Sequence, residues 1–145
     1  MGNCCFFGHK QIRKSIDKIL KETIRELISE KDIDTFYVGN NGAFDHHVSA
    51  ILEELKNEIP NIKYNIVLAY LNTPRASYND NTIYPEGLES VPKRFAVYKR
   101  NLWMLKQCDY VVAYIEHPFG NAEKFVDIAL TKGKAVINIA DKINE

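Results

Sequence analysis

The five residues Ile66-Val67-Leu68-Ala69-Tyr70 are apolar at every position. A strand with one solvated face alternates polar and apolar residues, so an unbroken run fits a strand covered on both faces, as in a parallel sheet. Parallel strands need long crossovers, usually helical, and the rest of the chain supplies them. Cys4-Cys5-Phe6-Phe7 predicts a first strand, Phe36–Val38 a second, Tyr110–Ile115 a fourth and Ala135–Ile139 a last. Between them the spacing turns helical. Ile12, Ile16, Ile19, Leu20, Ile24, Leu27 and Ile28 predict one long amphipathic helix, and Val48, Ile51, Leu52, Leu55 and Ile59 a second that Pro60 ends. Phe95 to Gln107 forms a third with Phe95, Leu102 and Leu105 inward. Ala122, Phe125, Val126 and Ala129 stripe a fourth, which Lys132-Gly133-Lys134 closes with the cations and C′ glycine that helix ends favour. The order β-α-β-α-β-loop-α-β-α-β predicts an α/β fold: a Rossmann-like three-layer sandwich with a five-stranded, mainly parallel sheet and right-handed crossovers.

At 145 residues the chain is expected to form one domain, residues 1–145, able to bury a core without staples. Its 19 basic and 19 acidic residues cancel, which argues against a dedicated nucleic-acid or membrane-surface binder. Cys4, Cys5 and Cys108 fall in apolar segments and are expected to be reduced and buried. The start is too quickly polar for a signal peptide and no apolar run approaches a membrane span, so the expected compartment is the cytoplasm. The segment from Asn72 to about Pro92 reads as one long irregular loop, and loops of that length in compact domains are usually functional or disordered.

Ligands bind beyond the carboxyl ends of parallel strands, and four segments leave that edge: Gly8-His9, Gly39 to Asp45, the loop after Tyr70, and Glu116 to Ala122. Gly39-Asn40-Asn41-Gly42 is built of residues that reach or tolerate positive φ, so it is expected to gather backbone amides around one point, with Phe44 beside it and Asp45 capping the next helix. Gly120-Asn121-Ala122 opens a helix whose free amides and dipole offer an anion site, reinforced by Lys124. Lys93, Arg94, Lys99 and Arg100 crowd four cations around another helix start, and the loop before them has Tyr78, Tyr84, Pro85 and Phe95 as apolar anchors. His9, His46, His47 and His117 lie beyond strand ends, but no HExxH, paired CxxC or similar spacing accompanies them, so no metal is expected. No GxSxG, P-loop or GxGxxG occurs, which disfavours a dehydrogenase or ATPase. No cofactor is expected.

Four motifs, residues 6–9 (FFGH), 36–45 (FYVGNNGAFD), 82–89 (TIYPEGLE) and 91–104 (VPKRFAVYKRNLWM), resemble small bacterial proteins of the SLOG superfamily, nearest its YpsA-like, DUF1273-type branch. The resemblance spans nearly the whole chain. It implies a Rossmann-like fold and binding of a nucleotide or nucleotide derivative, since the superfamily includes LOG-type phosphoribohydrolases, the DNA-processing protein DprA and sensors of ADP-ribose-like nucleotides. LOG enzymes use an arginine on a helix and a glutamate after a Pro-Gly-Gly-x-Gly-Thr loop. Arg100-Asn101 followed by Met104 resembles the first element, and Pro118-Phe119-Gly120-Asn121-Ala122 a degenerate form of the second, with Lys124 where the glutamate is expected and Glu123 beside it. A lysine there would repel an oxocarbenium-like transition state and hold phosphate instead.

The leading expectation is therefore a sensor or sequestering protein that holds a nucleoside monophosphate or ADP-ribose-type ligand. Its expected contacts are Gly8, His9, Gly39, Asn40, Asn41, Gly42, Phe44, Asp45, Arg94, Arg100, Asn101, Gly120, Asn121, Ala122 and Lys124. The alternative is an N-glycosidic hydrolase with Arg100, Glu86 and Glu123 as catalytic residues. A third reading, a nucleic-acid-binding accessory protein, rests on Lys93 to Arg100 and the kinship with DprA. Tyr98 and Trp103 lie off the apolar stripe of their helix and predict a homodimer.

Overall fold

The computed structural model describes residues 2–12, 14–71, 81–117 and 120–143. Six strands form one parallel sheet: β1 (Gly2–Gly8), β2 (Ile33–Val38), β3 (Lys63–Val67), β4 (Thr82–Ile83), β5 (Tyr110–Tyr114) and β6 (Ala135–Asn138), in the spatial order β4-β3-β2-β1-β5-β6. The sixth strand corrects the expected five. β4 comes from the segment read as irregular loop, where Thr82 and Ile83 pair with Ile66 and Val67. Two residues carry no readable period, and only the neighbouring strand edge makes them a strand. β3 also begins earlier than its apolar run, at Lys63, because its first three residues pair with Thr35 to Tyr37 of β2 despite being partly solvated.

Helices α1 (Asp17–Glu30), α2 (Ala43–Glu58) and a short α5 (Ile139–Ile143) cover one face, and α3 (Lys93–Gln107) and α4 (Asn121–Thr131) the other. α5 was not expected, since the final apolar run read as strand to its end. Each helix turns its apolar stripe to the sheet. Leu20, Ile24 and Leu27 of α1 and Val48, Leu52 and Leu55 of α2 close over Phe6, Phe36 and Val38 on the first face. Met104 and Leu105 of α3 and Phe125 and Ala129 of α4 close over Cys5, Phe7 and Val111 on the second. Cys4, Cys5 and Cys108 are free and buried, used as small apolar fillers; burial pushes the Cys4 and Cys5 thiols well above their ordinary range. Among the described residues no helix is long and apolar enough to cross a membrane.

The inward face of α3 differs from the expected one. Phe95 is 46% exposed, and its place is taken by Ala96, Arg100, Asn101, Met104 and Leu105. An arginine and an asparagine thus enter the interior beside the carboxyl edge, which needs acceptors waiting for them.

The chain leaves β1 towards β2, β3 and β4, then returns through α3 to place β5 on the other side of β1. The order of strands reverses at the β1–β5 boundary, and the loops leaving these two strands turn to opposite faces. Open α/β sheets have their crevice there.

Candidate functional site

A cleft of about 610 Å³ opens at that boundary, a volume typical of small-molecule sites. Its floor is the end of β1, from Phe6 to Gly8, followed by His9, Lys10 and Gln11. One wall is Gly39, Asn41 and Asp45; another is Val97, Arg100 and Asn101 of α3; the third is Glu116, His117 and the start of α4 at Gly120, Asn121 and Ala122.

Arg100 organises the first two walls. Its side chain is only 2% exposed. Nε donates to Asn101 Oδ1 at 2.7 Å, one terminal nitrogen donates to the Val67 carbonyl at 2.9 Å and, at a marginal 3.5 Å, to Asn40 Oδ1, and the other donates to Asn41 Oδ1 at 3.1 Å. Burial lowers the guanidinium pKa, opposed by Asp45 and Tyr70. Gly39 lies flat against it: a Cβ there would come within 2.7 Å of the guanidinium nitrogen. Arg100 is thus engaged with the protein on four acceptors and holds the Gly39–Asn41 turn in place. Asn101, whose side-chain oxygen accepts from Arg100, also lines the cleft.

Of the amides expected to gather in the Gly39–Gly42 turn, that of Asn41 is engaged within the protein, as are the two that follow the turn. The Asn41 N–H donates to Asp45 Oδ2 at 3.0 Å, the Ala43 N–H to the Lys10 carbonyl at 2.8 Å and the Phe44 N–H to the His9 carbonyl at 3.4 Å. The start of α2 therefore ties down the loop after β1. Asp45 is not the cap residue either: Gly42 occupies that position, with φ 110°, and Asp45 reaches back from the first turn. Gly42 faces solvent and a Cβ on it would meet the Lys10 backbone at 2.7 Å, so glycine is required by this junction. Burial, opposed by the Asn41 amide and by Arg100, pushes the Asp45 carboxyl up to about 6.

Phe44 is a core residue. It is fully buried, stacks on Tyr114 with ring centroids 6.2 Å apart, and lies directly beneath Gly8, where a Cβ would come within 2.3 Å of its ring. It supports the cleft floor and cannot touch an occupant.

On the opposite wall, His9 and His117 stack face to face at 4.1 Å with planes 4° apart. His9 Nε2 accepts the Glu116 N–H at 2.9 Å, so its proton resides on Nδ1. Burial and then His117 lower the His9 pKa, against Glu116. The two rings present parallel planar faces at the cleft. His46 and His47 sit apart on α2, with His47 Nδ1 2.7 Å from Asp17 Oδ1 of α1. The four histidines do not converge, and among the described residues no three His, Cys, Asp or Glu side chains are placed to hold a metal ion.

Five expected contacts do not line the cleft: Asn40, Gly42, Phe44, Arg94 and Lys124. Arg94 and Lys124 instead line a neighbouring depression together with Phe95, Tyr98 and Phe125. The cation cluster is thereby divided, with Lys93, Arg94 and Lys99 at the surface and Arg100 inside. Neither Glu86, exposed in the turn before Leu88, nor Glu123 of α4 lines the cleft. The carboxyls that do line it are Asp45 and Glu116, the latter ion-paired with Lys14 at 3.2 Å. Tyr78 and the Pro118-Phe119 part of the degenerate loop lie outside the described residues. Trp103 packs edge-on against Tyr37 at 5.8 Å, so of the two aromatics expected at a subunit interface only Tyr98 is exposed.

The expected contacts omitted Phe6, Phe7, Lys10, Gln11, Val97, Glu116 and His117 of the cleft lining. Lys10 and Gln11 follow His9 at the end of β1 and were within reach of the edge rule. Val97 carries no chemistry that would single it out.

No family model matches the chain, and no curated protein is matched either. Among solved structures it is similar to the X-ray structure of DNA processing protein A (DprA) from Streptococcus pneumoniae, with a TM-score of 0.65 and 17% identity. The likeness covers 93% of this chain and 49% of that one, so the chain spans about half the length of the protein it resembles. The shared feature is the α/β fold, with its parallel sheet flanked by helices.

Proposed function

We propose that the cleft binds a nucleotide or nucleotide-derived ligand without turning it over, in a sensor or sequestering protein of the YpsA-like kind. The carrying observation is the cleft's position at the β1–β5 switch point, with the start of the eleven-residue helix α4 facing the Arg100-braced turn across it. Amides at a helix start and the Lys10 ammonium suit phosphate, the His9–His117 ring pair offers a planar apolar face for a base, and the Asn101 and Asn121 amides suit hydroxyls or base edges. Glu86 and Glu123, the carboxylates of the hydrolase alternative, do not line the cleft, which supports binding over turnover.

N-glycosidic hydrolysis is favoured by one observation of its own, the Asp45 carboxyl in the cleft wall with its pKa raised to about 6. The proposal includes a second copy of the chain as partner; Trp103, one of the two aromatics expected at that interface, packs against Tyr37 instead. Calorimetry with nucleoside monophosphates and ADP-ribose, followed by chromatography after long incubation, tests the reading. Saturable binding with the ligand recovered intact is expected. Release of free base that disappears in Asp45→Asn would replace binding by hydrolysis, and the absence of any saturable binding would refute both.

A further inference from the structure

A second depression adjoins the cleft at Asn121. It lies between α3 and α4, is about 500 Å³ in volume, and has as its walls Arg94, Phe95, Tyr98, Lys124 and Phe125; Val97 and Asn121 belong to both spaces. A ligand that spans the two spaces passes over these two shared residues.

The chemistry of the depression is specific. Phe95 and Tyr98 are three residues apart on α3, which puts them on one side of the helix, and they are 46% and 38% exposed. Tyr98 rests against Phe125 at 5.5 Å. The Arg94 guanidinium lies 4.9 Å from the Phe95 ring centre and the Lys124 ammonium 6.0 Å from the Tyr98 ring centre. Neither cation is ion-paired with a carboxylate among the described residues. One exposed aromatic needs no explanation, but two rings side by side, each attended by a cation, form the combination that stacks a base and holds its phosphate.

We propose that this depression is a second nucleotide subsite, so that the ligand is a two-part nucleotide: one unit occupies the cleft and the other, joined through phosphate, stacks over Phe95 and Tyr98. The start of α4 at Asn121, which borders both spaces, then faces the bridging phosphates. A short ligand is favoured over a long strand because the chain carries no net charge, whereas surfaces that track a strand are strongly basic. The proposal rests on the reading of the cleft as a nucleotide site.

The test is calorimetry of the wild type, Phe95→Ala and the Arg94→Ala/Lys124→Ala double variant. The probes are adenosine monophosphate, diadenosine diphosphate, and a short and a long oligodeoxyadenylate. Diadenosine diphosphate should bind the wild type roughly five- to a hundredfold more tightly than the monophosphate, the range expected for one base stacked on an aromatic ring. Phe95→Ala should remove most of that gain and leave the monophosphate affinity unchanged. The double variant should reduce the gain and its dependence on salt. Equal affinity for the two adenosine probes, or a gain that survives Phe95→Ala, would overturn the second subsite while leaving the cleft reading intact. Affinity that keeps rising from the short to the long strand would overturn it in favour of a nucleic-acid strand. Failure of the monophosphate to bind the wild type at all would overturn the cleft reading and this inference with it.

Discussion

Replacing Arg100 by alanine separates two roles for the same side chain. Three of its hydrogen bonds are well formed, to Asn101, the Val67 carbonyl and Asn41 at 2.7 to 3.1 Å, and the fourth, to Asn40 at 3.5 Å, adds little. Hydrogen bonds to a charged group contribute about 1.5–3 kcal/mol each, but three on one side chain are not additive, and removing one partner of a buried charged network typically costs about 3–5 kcal/mol. That is the expected loss for Arg100→Ala. Against a typical total of roughly 5–15 kcal/mol it is severe, and with a urea slope near 2 kcal/mol/M it moves the unfolding midpoint by about 2 M. Loss of the cation should also raise the Asp45 carboxyl further, since Arg100 now holds it down. Urea titration monitored by circular dichroism, with calorimetry of ligand binding on the same samples, reads both effects. A free substrate-contacting arginine would behave differently. If Arg100→Ala kept its unfolding free energy within about 0.5 kcal/mol of the wild type while losing all binding, the bracing role would be refuted.

Two further perturbations follow from the same wall. The Asp45 carboxyl binds its proton more tightly in the folded protein, at about 6 against an ordinary 3.8, so its contribution to stability is full below 3.8 and is lost as pH rises through 6. The ceiling of that loss is about 3 kcal/mol. The stability difference between the wild type and Asp45→Asn, from urea midpoints over about pH 3 to 8, should therefore shift in favour of the variant across this window; a flat difference contradicts it. Gly42→Val should lower the melting temperature and the ligand affinity together, because Gly42 has φ 110° and faces the Lys10 backbone at the junction that anchors the loop after β1. The strain amounts to roughly 1–3 kcal/mol, and an unchanged melt would show that the junction relaxes freely.

The sheet and the four long helices were legible because their signals are local and repeated: unbroken apolar runs for strands covered on both faces, and 3.6-residue stripes for helices covering them. β4 and α5 were not, since two and five residues are too few for a period, and each is defined by what it packs against. The carboxyl-edge rule located the cleft from topology alone, including Gly8, Gly39 and the start of α4. It could not apportion roles within that edge. Whether a backbone amide is free depends on distant carbonyls, here those of His9 and Lys10. Whether an arginine is exposed depends on distant acceptors, here the Val67 carbonyl and the Asn40 and Asn41 side chains. The recurrence of asparagine at 40, 41 and 101 was the available hint, because carboxamide oxygens are what a buried guanidinium needs. Phe95 was misassigned for the complementary reason: it sits in the first turn of α3, beside the second depression, where a helical stripe has no sheet to cover.

The most direct test of nucleotide binding at the switch point is a two-dimensional amide NMR titration of the wild type with adenosine monophosphate. The amides of Gly8 to Gln11, Gly39 to Asn41 and Gly120 to Ala122 come from three segments far apart in sequence that the fold brings around one cleft. Saturable shifts concentrated in those three segments, with α1 and the outer face of α2 unaffected, are expected. No saturable shift at millimolar ligand, or shifts concentrated away from the β1–β5 edge, would contradict the assignment of the cleft.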